Sequence, residues 1–257
     1  MGRLLVTGAN GLVGSQFEGD LVPITSKMVD LRDKKSTEDI KKNFDLLESL
    51  IALGKQAEVV LHLNSNMTNT NPKFYELIKQ FKSVTFFASI DGYGKTQEYI
   101  RYPSKWESID TNFNRLLDLG NNITIVPTPV IQIANLGKCV ELFDYFEDFN
   151  RQANKSAVNI IPIVLENPKH LDVLHLPRDY KLECWDKIND WLTTSCVFQH
   201  NLFYNKLEAV KHKCNEQGDP SRLKTYIEYN TILDKHRKVT LFDSNPELFE
   251  LLKSINL

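Results

Sequence analysis

Residues Lys82 to Trp106, KSVTFFASIDGYGKTQEYIRYPSKW, decide how the rest of the chain is read. Val84 to Ala88 is apolar, aromatic and β-branched, which predicts a buried strand of a parallel sheet. Ser89-Ile90-Asp91-Gly92 follows, so polar side chains and a flexible glycine emerge at the strand's carboxyl end. Ligands of α/β folds bind at that edge, because the loops there vary while the sheet holds them still. Ser89 and Asp91 are therefore candidate ligand contacts. The plainer alternative is a turn and a cap, since Asp and Gly favour tight turns with or without a ligand.

Strands and helices alternate on both sides of this stretch. Glu58 to Leu63 predicts a strand ending in Asn64-Ser65-Asn66-Met67-Thr68, with Asn66 at its carboxyl end. Asn71-Pro72 supplies an N-cap and a first-turn proline for a helix over Lys73–Phe81. Ser104-Lys105-Trp106-Glu107 has capping-box spacing and opens a helix to Leu119. Ile123 to Val126 predicts the next strand, closing on Pro127-Thr128-Pro129 and on the polar Gln132 and Asn135. Lys138 to Arg151 reads as a helix, and Val158 to Val164 as a strand.

Upstream, Arg3 to Thr7 is a short apolar strand, and Gly8-Ala9-Asn10-Gly11-Leu12-Val13-Gly14 follows at once. Glycines at this spacing let the backbone turn tightly and approach a pyrophosphate, and the next helix offers free N–H groups. Gly19 and Pro23 leave that helix only about two turns. Leu21 to Thr25 predicts a second strand, leading to Asp30-Leu31-Arg32-Asp33. Ser36-Thr37-Glu38-Asp39 then opens a helix that Gly54 stops. The total is six strands alternating with helices, the arrangement of a parallel sheet with right-handed crossovers. Beyond Asn167 the pattern becomes helical, over Cys184–Thr193, His200–Asn215 and Ser221–Leu233. A last helix is signed by Ser244 as cap, Pro246 in the first turn and Glu247 completing the box.

A length of 257 residues suits one ordinary α/β domain. The formal charge of −2 leaves no electrostatic footprint for nucleic acid. No run of roughly 18 apolar residues predicts a membrane span. The first residues lead straight into a strand with no charged-then-apolar leader, and Val6 stands where a myristoylation signal needs Ser or Thr. Four scattered cysteines form no disulfide framework, which favours a reducing cytoplasm.

Two family resemblances attach to these motifs. Residues 1–41, through T-G-x-x-G-x-x-G at Thr7–Gly14 and D-L-x-D at Asp30–Asp33, resemble the start of extended short-chain dehydrogenase/reductases of the NAD-dependent epimerase type. That resemblance implies a Rossmann-like first unit in which Thr7, Gly8, Asn10, Gly11, Gly14, Asp30 and Leu31 contact NAD(P); Ser26 and Lys27 would suit a 2′-phosphate. Residues 43–257, through S-I-D-G-x-G at Ser89–Gly94 and E-Y-I-R-Y-P-S-K-W at Glu98–Trp106, resemble the later part of radical S-adenosylmethionine (radical SAM) proteins of the twitch/SPASM-like kind. This second resemblance implies a partial barrel whose strand ends, at Asn66, Ser89, Asp91 and Gln132, lie near S-adenosylmethionine.

The radical SAM pattern is incomplete. Its chemistry needs a [4Fe–4S] cluster on a C-x3-C-x2-C loop. Here Cys139, Cys184, Cys196 and Cys214 are scattered, the closest pair being 12 residues apart. The family's second-strand G-G-E-P segment is missing too. The chain reads as a fusion of the two ancestries near Lys41–Asn43, and no [4Fe–4S] cluster is expected. The expected function is that of a radical SAM-related protein without its cluster. The alternatives are an NAD(P)-dependent nucleotide-sugar epimerase or reductase, or a non-catalytic nucleotide-binding module.

Dehydrogenase catalysis would require Ser or Thr with Tyr-x-x-x-Lys, the lysine lowering the tyrosine pKa. Only Tyr75 and Lys79 have that spacing, with Ser65 upstream, and they come too early in the chain; Tyr102 and Lys105 are one residue short. Cys196 and His200 at i, i+4, with His212 and Cys214, raise a zinc site against the simpler reading of ordinary amphipathic helices. Trp185, Trp191, Phe198, Phe203 and Tyr204 read as the apolar faces of those helices, and Lys206, Lys211 and Lys213 as a solvated face. The fold expected is an open parallel sheet or partial (β/α)6 barrel with a helical C-terminal region packed on it. Any ligand is expected at one carboxyl-end rim, with phosphate at the glycine loop and hydroxyls near Asp91.

Overall fold

The structure is a computed structural model that describes residues 3–7, 21–24, 44–68, 71–153, 158–195, 201–237 and 239–255, with residues 3–7 and 21–24 described by their backbone. It is mixed α/β, with parallel strands and mostly helical elsewhere. The chain falls into two compact units, Met1–Ala88 with Thr111–Val126, and Ser89–Asp110 with Pro127–Leu257.

The first unit is built on a five-stranded sheet in the order β2-β1-β3-β4-β5. Its strands are β1 (Arg3–Thr7), β2 (Leu21–Ile24), β3 (Val59–Ser65), β4 (Ser83–Ala88) and β5 (Ile123–Pro127). β1 pairs in parallel with both β2 and β3, and β3 pairs in parallel with β4 from Val60↔Ser83 to Ser65↔Ala88. Val59, Leu61 and Leu63 alternate inward along β3, whereas Phe86, Phe87 and Ala88 are buried in succession, as in a strand covered on both faces. Helix α1 (residues 44–52) and α2 (Pro72–Ile78) pack here, with Phe74 edge-on to both Phe44 and Phe86. Asn71 caps α2 by accepting from Lys73 N, and Pro72 occupies its first turn, as the sequence predicts.

The second unit carries α3 (Lys95–Ile100), the start of α4 (Trp106–Asp118), α5 (Cys139–Ala153), α6 (Arg178–Thr194), α7 (Asn201–Asn215), α8 (Ser221–Arg237), α9 (Leu241–Ser244) and α10 (Pro246–Ser254). The expected sixth strand, Val158–Val164, does not join the main sheet. Only β7 (Ile163–Val164) forms, paired in parallel with β6 (Val130–Ile131) in a separate two-stranded ladder. The reason is proline. Pro129 has no N–H, so Ile161 donates to the Pro127 carbonyl without the return bond that would extend the ladder. Val158 turns instead to Asn150, whose side chain takes both its N–H and its carbonyl. The described strands thus form an open sheet and a short ladder, and among the described residues there is no closed barrel.

Two further expectations are corrected. The last helix is capped by Asn245, whose Oδ1 accepts from Leu248 N, because Ser244 already closes α9. Helix α6 begins at Arg178 rather than Cys184, since the buried position in its first turns is a lysine and breaks the apolar pattern. Lys181 is fully buried, and its Nζ donates to the carbonyls of Leu174 (2.9 Å), Lys213 (3.0 Å) and Glu216 (2.6 Å). Two of these belong to the C-terminal end of α7, where orphan carbonyls and the helix dipole favour a cation. Burial pulls the Lys181 ammonium below the usual lysine range, partly offset by nearby Cys214, Glu216 and Asp172. Replacing Lys181 with Met keeps the stem but leaves three carbonyls without a donor. A loss of about 2–4 kcal/mol in urea denaturation is expected; a change below about 0.5 kcal/mol would remove Lys181 from the role of helix cap.

Candidate functional site

Asp91 is the most constrained polar residue of the central stretch. It is 3% exposed, and all four of its polar atoms are engaged. Oδ2 accepts from Arg101 Nε at 2.6 Å and Oδ1 from Val130 N at 2.9 Å. Its N–H donates to Gln97 Oε1 at 2.7 Å, and its carbonyl accepts from Asn135 Nδ2 at 2.7 Å. Gln97 also accepts from Gly92 N and donates to the Ser89 carbonyl, so Ser89–Gly92 is a turn closed from within by one side chain. Gly92 is required there, because a Cβ would lie 2.5 Å from Thr96 Cγ2. Asn135 also bonds the Val130 carbonyl and accepts from Gln132 N, which draws Gln132 into the same network through its backbone. Sequence reasoning named Asp91, Ser89 and Gln132 but missed Arg101 and Gln97, the residues that complete the arrangement. The signal was present: both follow Asp91 closely, Gln97 in the first turn of α3 and Arg101 at its C-cap.

Beside this turn lies an ionic and aromatic cluster. Glu98 accepts from Lys95 Nζ (2.9 Å) and from Trp106 N (3.1 Å), with Lys105 at 3.9 Å. Burial raises the Glu98 carboxyl, but those hydrogen bonds and charges outweigh it and hold it below the usual glutamate range. Tyr93, Trp106 and Tyr145 meet with ring centroids 4.9–5.5 Å apart, and Tyr145 donates to Asp110 at 2.6 Å. Burial, then the bond to Asp110, pushes the Tyr145 hydroxyl far up, so it is a fixed donor rather than an acid or base.

In the first unit, Asn66 sits at the end of β3 and is exposed, with Oδ1 accepting from the Thr68 N–H and hydroxyl. Next to it, Met67 is buried with φ +61°, the left-handed region that non-glycine residues rarely adopt. The turn is held by Ser65 Oγ, which accepts from Met67 N, and by Asn112 Nδ2, which donates to the Met67 carbonyl at 2.9 Å. Asn112 Oδ1 in turn accepts from Tyr75 OH. Tyr75 is therefore a buried hydroxyl in a structural bond, raised by burial against the pull of Arg115, whose guanidinium lies 4.2 Å from its ring. Lys79 pairs with Glu76 instead.

No family model, curated protein or solved structure matches the chain.

The remaining expectations divide by position. Thr7 ends β1, whereas Gly8, Asn10, Gly11, Gly14, Asp30 and Leu31, together with Ser26 and Lys27, lie outside the described residues, as do Cys196, Phe198 and His200. His212 is exposed and pairs with Glu216 at 2.7 Å, while Cys214 is buried; among the described residues no group of three or more His, Cys, Asp or Glu could hold a metal ion. Trp185, Trp191 and Phe203 are buried as expected, and Tyr204 is partly exposed. Lys213 does not belong to a solvated face: its Nζ bonds Asp172 Oδ2 at 2.6 Å, an ion pair with both partners largely buried. No helix among the described residues is long and apolar enough to cross a membrane.

The geometry makes Asp91 a keystone of its own unit. Asp91→Ala is expected to lower stability by about 2–4 kcal/mol in chemical denaturation, because Arg101 and the Val130 N–H lose their partner. Asp91→Asn should cost less, since one amide oxygen remains. A fully stable Asp91→Ala protein would mean the carboxylate is dispensable to the turn.

Proposed function

We propose that the chain is a radical SAM-related protein that has lost its cluster site and performs no radical chemistry of its own. The cysteines carry this reading. A [4Fe–4S] cluster is held by deprotonated Cys thiolates, in radical SAM proteins from one short loop. Here Cys139, Cys184 and Cys214 come from three different helices with buried thiols, and among the described residues no group of three or more His, Cys, Asp or Glu could hold a metal ion. Burial, reinforced by the neighbouring thiols, pushes Cys139 far up; burial also takes Cys184 to about 12 and Cys214 to about 11. Cys139 Sγ is further committed to the Asn135 carbonyl. Thiols in this state are inert packing groups near neutral pH. The carboxylate that the resemblance would place near S-adenosylmethionine is likewise taken up by Arg101 and Val130. After anaerobic reconstitution with iron and sulfide, addition of S-adenosylmethionine and dithionite is expected to yield no 5′-deoxyadenosine. Detecting it would overturn the reading. Iodoacetamide at about pH 8 should leave Cys139, Cys184 and Cys214 unmodified until denaturant is added, as peptide mass spectrometry would record.

A second reading, a non-catalytic nucleotide-binding module, has its own support. The order β2-β1-β3-β4-β5 is that of doubly wound sheets whose ligands bind between the carboxyl ends of β1 and β3. The T-G-x-x-G-x-x-G segment begins at the carboxyl end of β1, where glycines permit close approach of phosphate. The epimerase or reductase form of this reading has less support, because the Tyr75 hydroxyl is buried against Asn112. NADPH is expected to bind without turnover of nucleotide sugars, and Gly11→Asp to abolish binding in a fluorescence titration. Binding unchanged by Gly11→Asp would remove the glycine segment from the site.

A further inference from the structure

The turn at Val173–His175 is joined to the connector between α7 and α8 by an unusual acceptor. The Asp219 N–H donates to His175 Nδ1 at 3.1 Å. A ring nitrogen that accepts a backbone N–H carries no proton, so the single imidazole proton resides on Nε2. His175 is 9% exposed, and Nε2 has no hydrogen-bond partner among the described residues. The connector lies close against the turn. A Cβ on Gly218 would come within 2.2 Å of the Leu174 carbonyl and 2.7 Å of His175 Cα, so only glycine fits. On the other side of the turn, Lys181 ties the Leu174 carbonyl to the end of α7.

We propose that His175 is a proton-operated latch, holding residues 216–220 against the turn only while its Nδ1 is unprotonated. Protonation makes Nδ1 a donor facing another donor, so the Asp219 bond is lost and two N–H groups oppose each other. The new charge would also be buried with an unsatisfied Nε2–H.

The charged groups around the ring come from every neighbouring element. Asp172 precedes the turn, but its carboxylate is already engaged by Lys213 Nζ and by Leu174 N. Lys213 from α7 and Arg222 from α8 disfavour an imidazolium, and Asp219 on the connector favours one. Lys181 Nζ adds a third cation next to the turn. Burial is the largest influence and lowers His175 from its ordinary 6.5, with Asp172 and Asp219 opposing. For a base with a lowered folded pKa, the unfolded chain binds more protons between the two values. The latch is therefore fully closed above about pH 6.5 and weakens as pH falls below it.

Hydrogen exchange of the full chain, corrected for intrinsic rates, tests the latch at about pH 7.5 and about pH 5. Amides of residues 216–219 are expected to exchange about tenfold faster at the lower pH, with α5 and the main sheet unaffected. In His175→Asn the amide oxygen can replace Nδ1 as acceptor and cannot titrate, so the same amides should change less than about twofold. Equal acceleration in both proteins, or none in either, would overturn the latch. The latter result would mean that the Asp219 carboxylate captures the imidazolium. Should His175→Asn fail to fold, the 15N spectrum of the unaltered protein's imidazoles decides. An Nε2-protonated tautomer at neutral pH, titrating below the ordinary value together with the connector amides, supports the latch, and an Nδ1-protonated tautomer excludes it.

Discussion

Asp91 shows how one buried carboxylate can organise a loop-rich region. Taking a charge out of water is costly, and the cost is recovered only when geometry and hydrogen bonding are complete. Here completeness is reached through four short contacts to Arg101, Val130, Gln97 and Asn135, drawn from α3, β6 and the 3₁₀ turn before α5. Net energy is a smaller part of what the carboxylate contributes than uniqueness of position. Once Asp91 is fixed, Val130 can give its N–H to nothing else, and the β6–β7 ladder must begin where it does.

The same economy recurs in the helical region, where charged side chains serve as internal fasteners. Lys181 closes the end of α7, Lys213 neutralises Asp172, and Asp172 caps the turn that carries His175. Each group answers a deficit left by the backbone: orphan carbonyls at a helix end, or an orphan N–H at a turn. Such fasteners fix where segments meet, at the cost of making their junctions sensitive to the protonation of any neighbour that must stay neutral.

These buried polar networks also bear on function. In the second unit the Asp91 carboxylate, which would serve a ligand by resemblance, is bound by Arg101 and Val130, and Tyr75 in the first unit helps hold the left-handed Met67 turn through Asn112. The carboxyl ends of β1 and β3 are the part of the sheet to which the second, nucleotide-binding reading applies.

What the sequence determined by itself was local: the strands at Val84–Ala88, Glu58–Leu63 and Ile123–Val126, and the helices signed by Asn71-Pro72, by Lys138 onward and by Ser221 onward. Apolar runs, periodicity and caps act over a few residues, so they are legible without the fold. The absence of a C-x3-C-x2-C loop was equally plain. Only the tertiary structure decided the rest. Val158–Val164 has strand composition, yet its partners are proline carbonyls, and pairing depends on the neighbour rather than on the segment. Lys181 and Lys213 look like solvent-facing lysines until distant carbonyls and Asp172 are brought to them. Asp91 reads equally as ligand contact or turn residue, and its partners Arg101 and Val130, the latter 39 positions away, come to it only through the fold. Polar residues carry no label saying which partner will satisfy them; burial imposes the requirement, and folding supplies the partner.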